Sequence, residues 1–222
     1  MTPPTAFVFD LDDTLYKERD YVASCFEWIG ARLRASHGAE HAPEKLQSLF
    51  DAGADDAIGT VCAEYGVNDA EKAELITQMR AHPPAIALSE DAAHLLAWIR
   101  ERNYSFSIVT NGRSVTQRRK VEALGLSDAL SVAISEEIGA AKPDPTCFSL
   151  AISAHGADRY FYVGDNPKHD FAGPNELGWA TVMLKDNGRN IHDQMLKFPT
   201  NHQAAVTIDD LRELIALSSA EC

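Results

Sequence analysis

The sequence predicts an α/β fold: a parallel sheet with helices on both faces, interrupted near its start by an all-helical insertion. After residue 84, short β-rich runs alternate with segments of helical periodicity, which is the pattern of a parallel sheet. Between residues 20 and 82, apolar residues recur at helical spacing without a strand pattern. We therefore expect an α/β core made of residues 1–17 and 84–222, and a helical domain made of residues 18–83.

Each expected strand is a short apolar or β-branched run that ends in a turn or a polar cluster. The first, Thr5–Phe9, runs directly into acidic residues. The later strands are expected at Ser105–Val109, Leu130–Ile134, Tyr160–Val163, Ala180–Leu184 and Ala204–Ile208. Ligands of such sheets bind outside the carboxyl ends of the strands, so the residues that follow these runs are the candidates for function.

Helices are expected between the strands and throughout the insertion. In the insertion, an apolar stripe from Tyr21 to Leu33 predicts a first helix, and Asp69 is the expected N-cap of the last one. The prolines after His82 end that helix. In the core, helices are expected at Ser89–Ile99, Val115–Leu124, Pro145–His155, Phe171–Leu177 and Asp209–Leu217.

Composition excludes several classes of function. The chain has 222 residues, 33 acidic and 20 basic, and a formal net charge of −13. So acidic a chain is a poor partner for nucleic acid, because nucleic-acid binding depends on neutralising phosphates. No apolar run of about 18 residues predicts a membrane span. We therefore expect no nucleic-acid partner and no membrane partner, while the oligomeric state stays open.

The cysteines and the N-terminus indicate a cytoplasmic protein. Cys25, Cys62, Cys147 and Cys222 are scattered without CxxC spacing, which favours reduced thiols over a zinc site or a disulfide framework. The first residues have neither a basic region nor a long apolar run, so they do not predict a secretory signal.

The first acidic cluster, Asp10-Leu11-Asp12-Asp13-Thr14, follows the first strand. Carboxylates two residues apart at a strand end point roughly the same way, and a hard cation or a lysine would make their repulsion tolerable. One such carboxylate can act as nucleophile and the other as general acid/base. The alternative interpretation is an acidic turn that caps a helix.

Three further groups follow later strands or precede helices. Thr110-Asn111-Gly112 offers a hydroxyl and backbone N–H groups that suit phosphate oxygens. Lys142, before Pro143, can offset carboxylate charge. In the segment Gly164–Asp170, Asp165 can present a metal ligand at a strand end, and Asp170 can anchor the lysine or a metal-bound water. Because parallel strand ends share one edge, we expect these groups to converge.

Together these motifs resemble the haloacid dehalogenase superfamily of aspartyl phosphohydrolases. The resemblance rests on DLDDT at 10–14, on Thr110, on Lys142-Pro143 and on GDNPKHD at 164–170. It implies a Rossmann-like core. It also implies that the inserted domain is the helical cap of the subfamily related to phosphoglycolate phosphatase and nucleotidases.

The resemblance also implies roles in catalysis. Asp10 would attack phosphorus and become an aspartyl-phosphate. Asp12 would protonate the leaving oxygen and then activate water. Thr110, with the Asn111 amide region, would bind the phosphoryl group, and Lys142 would neutralise charge on both the nucleophile and the phosphate.

The metal expected by this resemblance is Mg²⁺. Its ligands would be Asp10, the main-chain carbonyl of Asp12, and Asp165, with Asp170 in the outer shell. Mg²⁺ suits such a site because it is hard, prefers oxygen ligands and keeps several waters.

Further residues are weaker candidates for substrate contact. Gly112 belongs to the phosphate-binding turn, and Arg113 follows it. Lys17 and Arg19 could meet a substrate anion or could be solvated hinge residues. His169 is interpreted as a solvated loop histidine.

The expected function is therefore a Mg²⁺-dependent phosphatase acting on a small phosphorylated molecule. Sugar phosphates, nucleoside monophosphates and phosphoglycolate-like esters are all open as substrates. Asp12 argues against carbon–halogen chemistry, since dehalogenases of the superfamily lack the second aspartate. The alternatives are a phosphomutase, which shares these motifs, and a non-catalytic phosphate-binding protein.

Overall fold

The computed structural model describes residues 4–194 and 197–219. By its internal contacts the chain divides into two compact units. One consists of Met1–Glu18 with Ala87–Cys222, and the other of Arg19–Ile86. None of the helices in the described part of the chain is both long and apolar enough to cross a bilayer.

The larger unit is built on one sheet, which in the described residues has six strands in the order β3-β2-β1-β4-β5-β6. Every neighbouring pair of strands is parallel. The strands are β1 Thr5–Phe9, β2 Ser105–Thr110, β3 Ser131–Ile134, β4 Arg159–Gly164, β5 Ala180–Leu184 and β6 Val206–Ile208. The α/β class predicted from the sequence is confirmed.

The central strand β1 is buried on both faces, which explains its uninterrupted apolar sequence. On one face, the ring of Phe7 stacks on that of Phe161 with 5.7 Å between centroids. On the other, Ala6 and Val8 belong to a buried cluster that includes Tyr162. The apolar run therefore places the residues that follow it at the middle of the sheet edge.

The smaller unit is helical and has an apolar core of its own. Its helices are α1 Glu18–His37, whose first residue belongs to the larger unit, α2 Ala42–Asp51, α3 Ala57–Glu64 and α4 Asp69–Arg80. The buried side chains of this core include Phe26, Ile29, Leu33, Leu46, Val61 and Leu75.

Helices of the larger unit connect its strands. The Ser89 hydroxyl caps the first of them by accepting a bond from the Ala92 N–H at 3.4 Å. The α-helices are α5 Glu90–Glu101, α6 Ser114–Ala123, α7 Ser135–Ile138, α8 Ser149–His155, α9 Ala172–Glu176 and α10 Glu213–Ser219. Two 3₁₀ turns cover Pro145–Phe148 and Thr200–His202, so the helix expected over 145–155 is split.

The start of α4 lies one residue earlier than predicted. Asn68, and not Asp69, is the N-cap: its Oδ1 accepts bonds from the N–H groups of Ala70 and Glu71, each at 3.0 Å. The Glu71 carboxylate in turn accepts the Asn68 N–H at 3.2 Å. This capping box fixes Asn68 outside the helix and Asp69 inside it.

The last helix starts later than predicted, at Glu213 instead of Asp209. The Glu213 carboxylate accepts the N–H groups of Asp209 and Asp210 at 3.0 and 3.1 Å. The side chain thereby binds the backbone donors in a turn ahead of the helix.

Candidate active site

The sheet brings together the polar residues that follow β1, β2 and β4. The N–H of Asp10 donates to the carbonyl of Val163 at 2.8 Å, which continues the β1–β4 ladder by one residue and places Asp10 beside the end of β4. Thr110 is the last residue of β2, and Asp165 directly follows β4. A cavity opens at this edge. It is lined by Asp10, Asp12, Asp13, Glu18, Thr110, Asn111, Lys142, Asp165, Asn166, His169, Asp170 and His192.

Lys142 is buried, with 3% of its side chain exposed, and it joins two carboxylates. Its Nζ donates to Asp10 Oδ1 at 2.5 Å, to Asp170 Oδ1 at 2.6 Å and to the Tyr162 hydroxyl at 3.0 Å. Burial opposes the charge on this lysine, but the two carboxylates outweigh burial and hold the pKa of Lys142 well above its usual value. Lys142 is therefore a fixed positive charge beside Asp10.

The backbone of Lys142 is held by Asn111. The side-chain Oδ1 of Asn111 accepts the Lys142 N–H at 2.8 Å, and its Nδ2 donates to the Lys142 carbonyl at 3.2 Å. His169 is half-buried, and its Nδ1 lies 3.2 Å from the same carbonyl. The expectation of a solvated loop histidine is wrong, because His169 packs against the Lys142 loop and lines the cavity.

Asp10, Asp165 and Asp170 form a buried carboxylate cluster in which one oxygen of each residue lies within 4.8 Å of the others. Burial raises the pKa of Asp10 to about 7; Lys142 lowers it, while Asp170 and Asp12 add to the rise. Burial, with repulsion from Asp170 and Asp10, also puts the pKa of Asp165 well above its usual range. Crowded, buried carboxylate oxygens fit a hard divalent cation, which would offset both effects.

Backbone and side-chain donors orient this cluster. Asp170 Oδ2 accepts the N–H groups of Asp165 and Asn166 at 3.2 and 2.8 Å. Asp165 Oδ2 accepts Nδ2 of Asn190 at 2.9 Å, and Lys17 donates to Oδ1 of the same asparagine at 2.6 Å. The loop after β5 therefore supports the metal-binding candidates, a contribution that the sequence pattern did not indicate.

Asp12 faces a different environment, formed by α6 and Tyr16. Its Oδ1 accepts Nζ of Lys120 at 2.6 Å and also the Tyr16 hydroxyl, and its Oδ2 accepts Nε2 of Gln117 at 2.9 Å. Burial raises the pKa of Asp12, but Lys120 and the other donors outweigh burial and lower it overall. The Asp12 carboxylate is thus ionised and held by α6 and Tyr16. It is not one of the three grouped carboxylates, so its main chain is the candidate for the metal.

The phosphate-binding candidates divide into two sets. Thr110 lines the cavity, and its Oγ1 lies 2.6 Å from Nε2 of Gln117. The Gly112 N–H donates instead to the Ser135 hydroxyl at 2.9 Å. Arg113 has 58% of its side chain exposed and lies 3.8 Å from Glu136. The structure does not bring Gly112 and Arg113 into the cavity lining.

Two further carboxylates belong to the site. Asp13 has a left-handed backbone, with a φ of 58°, and its carboxylate accepts the N–H groups of Glu18 and Ile191, each at 2.9 Å. It links the start of α1 to the loop after β5. Burial, together with repulsion from Asp12, raises the pKa of Glu18 to about 8, although Lys120 lowers it.

The last of the weaker candidates belongs to the helical unit. Arg19 pairs with Asp51 at 3.0 Å inside the helical unit. Among the cysteines, Cys25, Cys62 and Cys147 are buried and form no disulfide within the described part of the chain, and Cys222 lies outside it.

The family is decided by comparison with known proteins. Residues 7–184 match the family model of the haloacid dehalogenase-like hydrolases. The chain belongs to this family. The resemblance inferred from the four motifs is therefore confirmed.

Two relatives of this family member span most of both chains. The glyceraldehyde 3-phosphate phosphatase of Methanopyrus kandleri is 28% identical over 81% of this chain and 83% of its own. The ribulose-1,5-bisphosphate 5-phosphatase of Halopiger xanaduensis is 29% identical over 97% of this chain and 99% of its own. A 2-haloacid dehalogenase structure from Pseudomonas syringae superposes with a TM-score of 0.65 at 19% identity, covering 98% of this chain and 99% of its own. The proteins similar to this chain are thus named for two different reactions, phosphate-ester hydrolysis and dehalogenation. The reaction therefore has to be inferred from the residues of the site and not from the fold.

Proposed function

We propose that this chain is a Mg²⁺-dependent phosphatase that hydrolyses a small-molecule phosphate monoester through an aspartyl-phosphate on Asp10. The observation that carries the proposal is the buried Asp10 carboxylate, held at 2.5 Å by Lys142 and lining a cavity beside a second aspartate, Asp12. The phosphatases among its relatives support the same reaction class. Sugar phosphates, nucleoside monophosphates and phosphoglycolate-like esters are the proposed substrates.

In the first step, Asp10 attacks phosphorus and the bond from phosphorus to the leaving oxygen breaks. Asp12 donates a proton to that oxygen. Asp12 is ionised in the free protein. The negative charge of the arriving phosphate raises its pKa, so that Asp12 takes up a proton from solvent as the substrate binds and holds it for this step. In the second step, Asp12 takes a proton from water, which attacks the aspartyl-phosphate and releases phosphate and Asp10.

The phosphoryl group would be held by Lys142, by the Thr110 hydroxyl and by the backbone N–H of Asn111. The Asn111 side chain is already bonded to the Lys142 backbone, so its role is to keep the lysine in place. A lysine fixed in this way orients the phosphate and stabilises the charge that develops in transfer.

The proposed ligands of Mg²⁺ are Asp10, Asp165 and the main-chain carbonyl of Asp12, with Asp170 in the outer shell. When bound, the ion would neutralise negative charge on the phosphoryl oxygens and the nucleophile. Asp170 meanwhile holds Lys142, which keeps the lysine charge directed at Asp10.

We further propose a role for the helical unit and a cellular location. We assign residues 18–83 as a cap that selects the substrate, which is supported by a core of its own and by the position of all proposed catalytic residues outside it. The three buried cysteines, which form no disulfide among the described residues, support a reducing, cytoplasmic environment.

The test is phosphate release from a panel of phosphorylated metabolites, with and without Mg²⁺, by the wild-type protein and by Asp10→Asn. The amide is nearly isosteric but cannot attack phosphorus, so we expect turnover to fall by several orders of magnitude. Asp158→Asn, at an exposed position, is the matched control. Wild-type turnover by folded Asp10→Asn would refute the mechanism.

A further inference from the structure

Lys120 is a buried lysine on α6 that takes no part in the two proposed steps of phosphate hydrolysis. Only 3% of its side chain is exposed, and its Nζ lies 2.6 Å from Asp12 Oδ1. It also lies 5.9 Å from the centroid of the Tyr16 ring, whose hydroxyl donates to the same oxygen. A buried lysine is costly unless its charge is paired, so this arrangement ties the lysine to Asp12.

Gln117, one helical turn earlier on α6, holds the other oxygen of Asp12. Its Nε2 donates to Asp12 Oδ2 at 2.9 Å and lies 2.6 Å from Thr110 Oγ1. Gln117 is itself buried, with 2% of its surface exposed. A single amide group therefore connects the acid/base aspartate with the phosphate-binding threonine at the end of β2.

The two oxygens of Asp12 are not equivalent in this arrangement. A carboxylate oxygen has about two acceptor directions. Lys120 and Tyr16 occupy both directions of Oδ1, whereas Gln117 alone, among the described residues, bonds to Oδ2. Oδ2 is therefore the oxygen with room for a proton.

We propose that Lys120 and Gln117 are positioning residues that fix the Asp12 carboxylate so that Oδ2 exchanges the proton with the leaving oxygen and then with water. This inference rests on the proposed phosphatase reaction. In the first step, the Oδ2 proton passes to the leaving oxygen as its bond to phosphorus breaks. The electron pair stays on Oδ2, which takes a proton from water in the second step.

The experiment compares kcat/KM for two esters of similar shape, p-nitrophenyl phosphate and phenyl phosphate, with Mg²⁺ in excess. The nitrophenolate leaves without help, whereas the more basic phenolate gains more from a proton donor. The variants are Lys120→Met, Lys120→Arg and Gln117→Met. Arg119→Met is the control on the same helix, because Arg119 is exposed and pairs with Glu122.

Lys120→Met should lose at least about 10-fold more kcat/KM on phenyl phosphate than on p-nitrophenyl phosphate, a part of the 100-fold or more that a general acid contributes. Lys120→Arg should restore most of the ratio, and Arg119→Met should leave it unchanged. Gln117→Met should change the ratio in the same direction and raise KM for both esters, because Gln117 also touches Thr110.

Equal losses on both esters, in folded Lys120→Met and Gln117→Met, would overturn the inference and assign these residues a structural role. If Lys120→Met does not fold, Gln117→Met decides, since it removes no charge. A wild-type protein that hydrolyses neither these esters nor any compound of the metabolite panel would instead overturn the proposed function, and the inference with it.

Discussion

Lys142→Met tests the electrostatic centre of the site through stability, without requiring a substrate. The substitution keeps the length of the side chain but removes three contacts of Nζ, with Asp10, Asp170 and Tyr162. Asp170 keeps its bonds from the backbone and from the Tyr162 hydroxyl. Asp10 keeps a bond from Thr14 at 3.3 Å. The substitution therefore leaves Asp10, more than Asp170, without partners for its buried negative charge.

Breaking a buried ion pair by removing one partner costs about 3–5 kcal/mol. For a chain of this size each kcal/mol lowers Tm by roughly 2–4 °C. We therefore expect Tm to fall by roughly 6–20 °C at pH 8 in the presence of a chelator. The assay is differential scanning fluorimetry, with Lys168→Met as the control because Lys168 is an exposed lysine near the site.

The fall in Tm caused by Lys142→Met should be smaller at pH 5 than at pH 8. The pKa of Asp10 is raised above its unfolded value, and removing Lys142 raises it further. A carboxyl of this kind is neutral in the fold at low pH, and its contribution to stability is lost as the pH rises through the folded pKa. Asp10→Asn in the Lys142→Met background should recover most of the lost Tm at pH 8. A Tm within about 2 °C of the wild-type value at pH 8 would refute this account of the lysine.

Three further predictions concern the metal, the pH and the cap. Phosphatase activity should require Mg²⁺ and be inhibited by Ca²⁺, because Ca²⁺ takes more ligands at longer distances and would hold Asp10 in a non-attacking geometry; full activity after exhaustive chelation contradicts this. The pKa of Glu18 is raised to about 8, so its contribution to stability is lost as the pH rises through that value. Glu18→Gln stays neutral at every pH. Measured in a chelator, its Tm should therefore rise relative to that of the wild type as the pH increases from 5 to 9, and a Tm difference that does not change with pH would exclude this role. Replacing residues 20–82 by a short Gly/Ser linker should erase the preference among natural substrates but keep some turnover of p-nitrophenyl phosphate, whereas an unchanged ranking in a folded truncation would place specificity elsewhere.

The strand-end part of the site could be predicted because it depends on topology alone. Once β1, β2 and β4 are assigned to one parallel sheet, the residues that follow them must share an edge. Asp10, Thr110 and Asp165 needed only an apolar run followed by a polar residue. Lys142 does not directly follow a strand, and it was expected beside the acidic cluster because a lysine can offset carboxylate charge.

The contacts of α6 with Asp12 could not be predicted in this way. Lys120 lies 108 positions from its partner, and Gln117 lies 105 positions away. In the sequence, both belong to a polar helix in which Arg118 and Arg119 lie between them, and a lysine in such a helix is ordinarily solvated. The available signal was their spacing of three residues, which puts them on one helix face immediately after the Thr110 turn.

The charges of the four aspartates at the sheet edge support the proposed requirement for a divalent cation. Asp10, Asp12, Asp165 and Asp170 carry four negative charges when ionised, and the two buried lysines that contact members of this set, Lys120 and Lys142, supply two positive ones. The remaining two charges would repel a phosphate dianion, and burial strengthens that repulsion. One Mg²⁺ would cancel this remainder among the four aspartates. Lys142 would then be free to attract the phosphoryl oxygens, and Lys120 would continue to hold Asp12 in place for proton transfer.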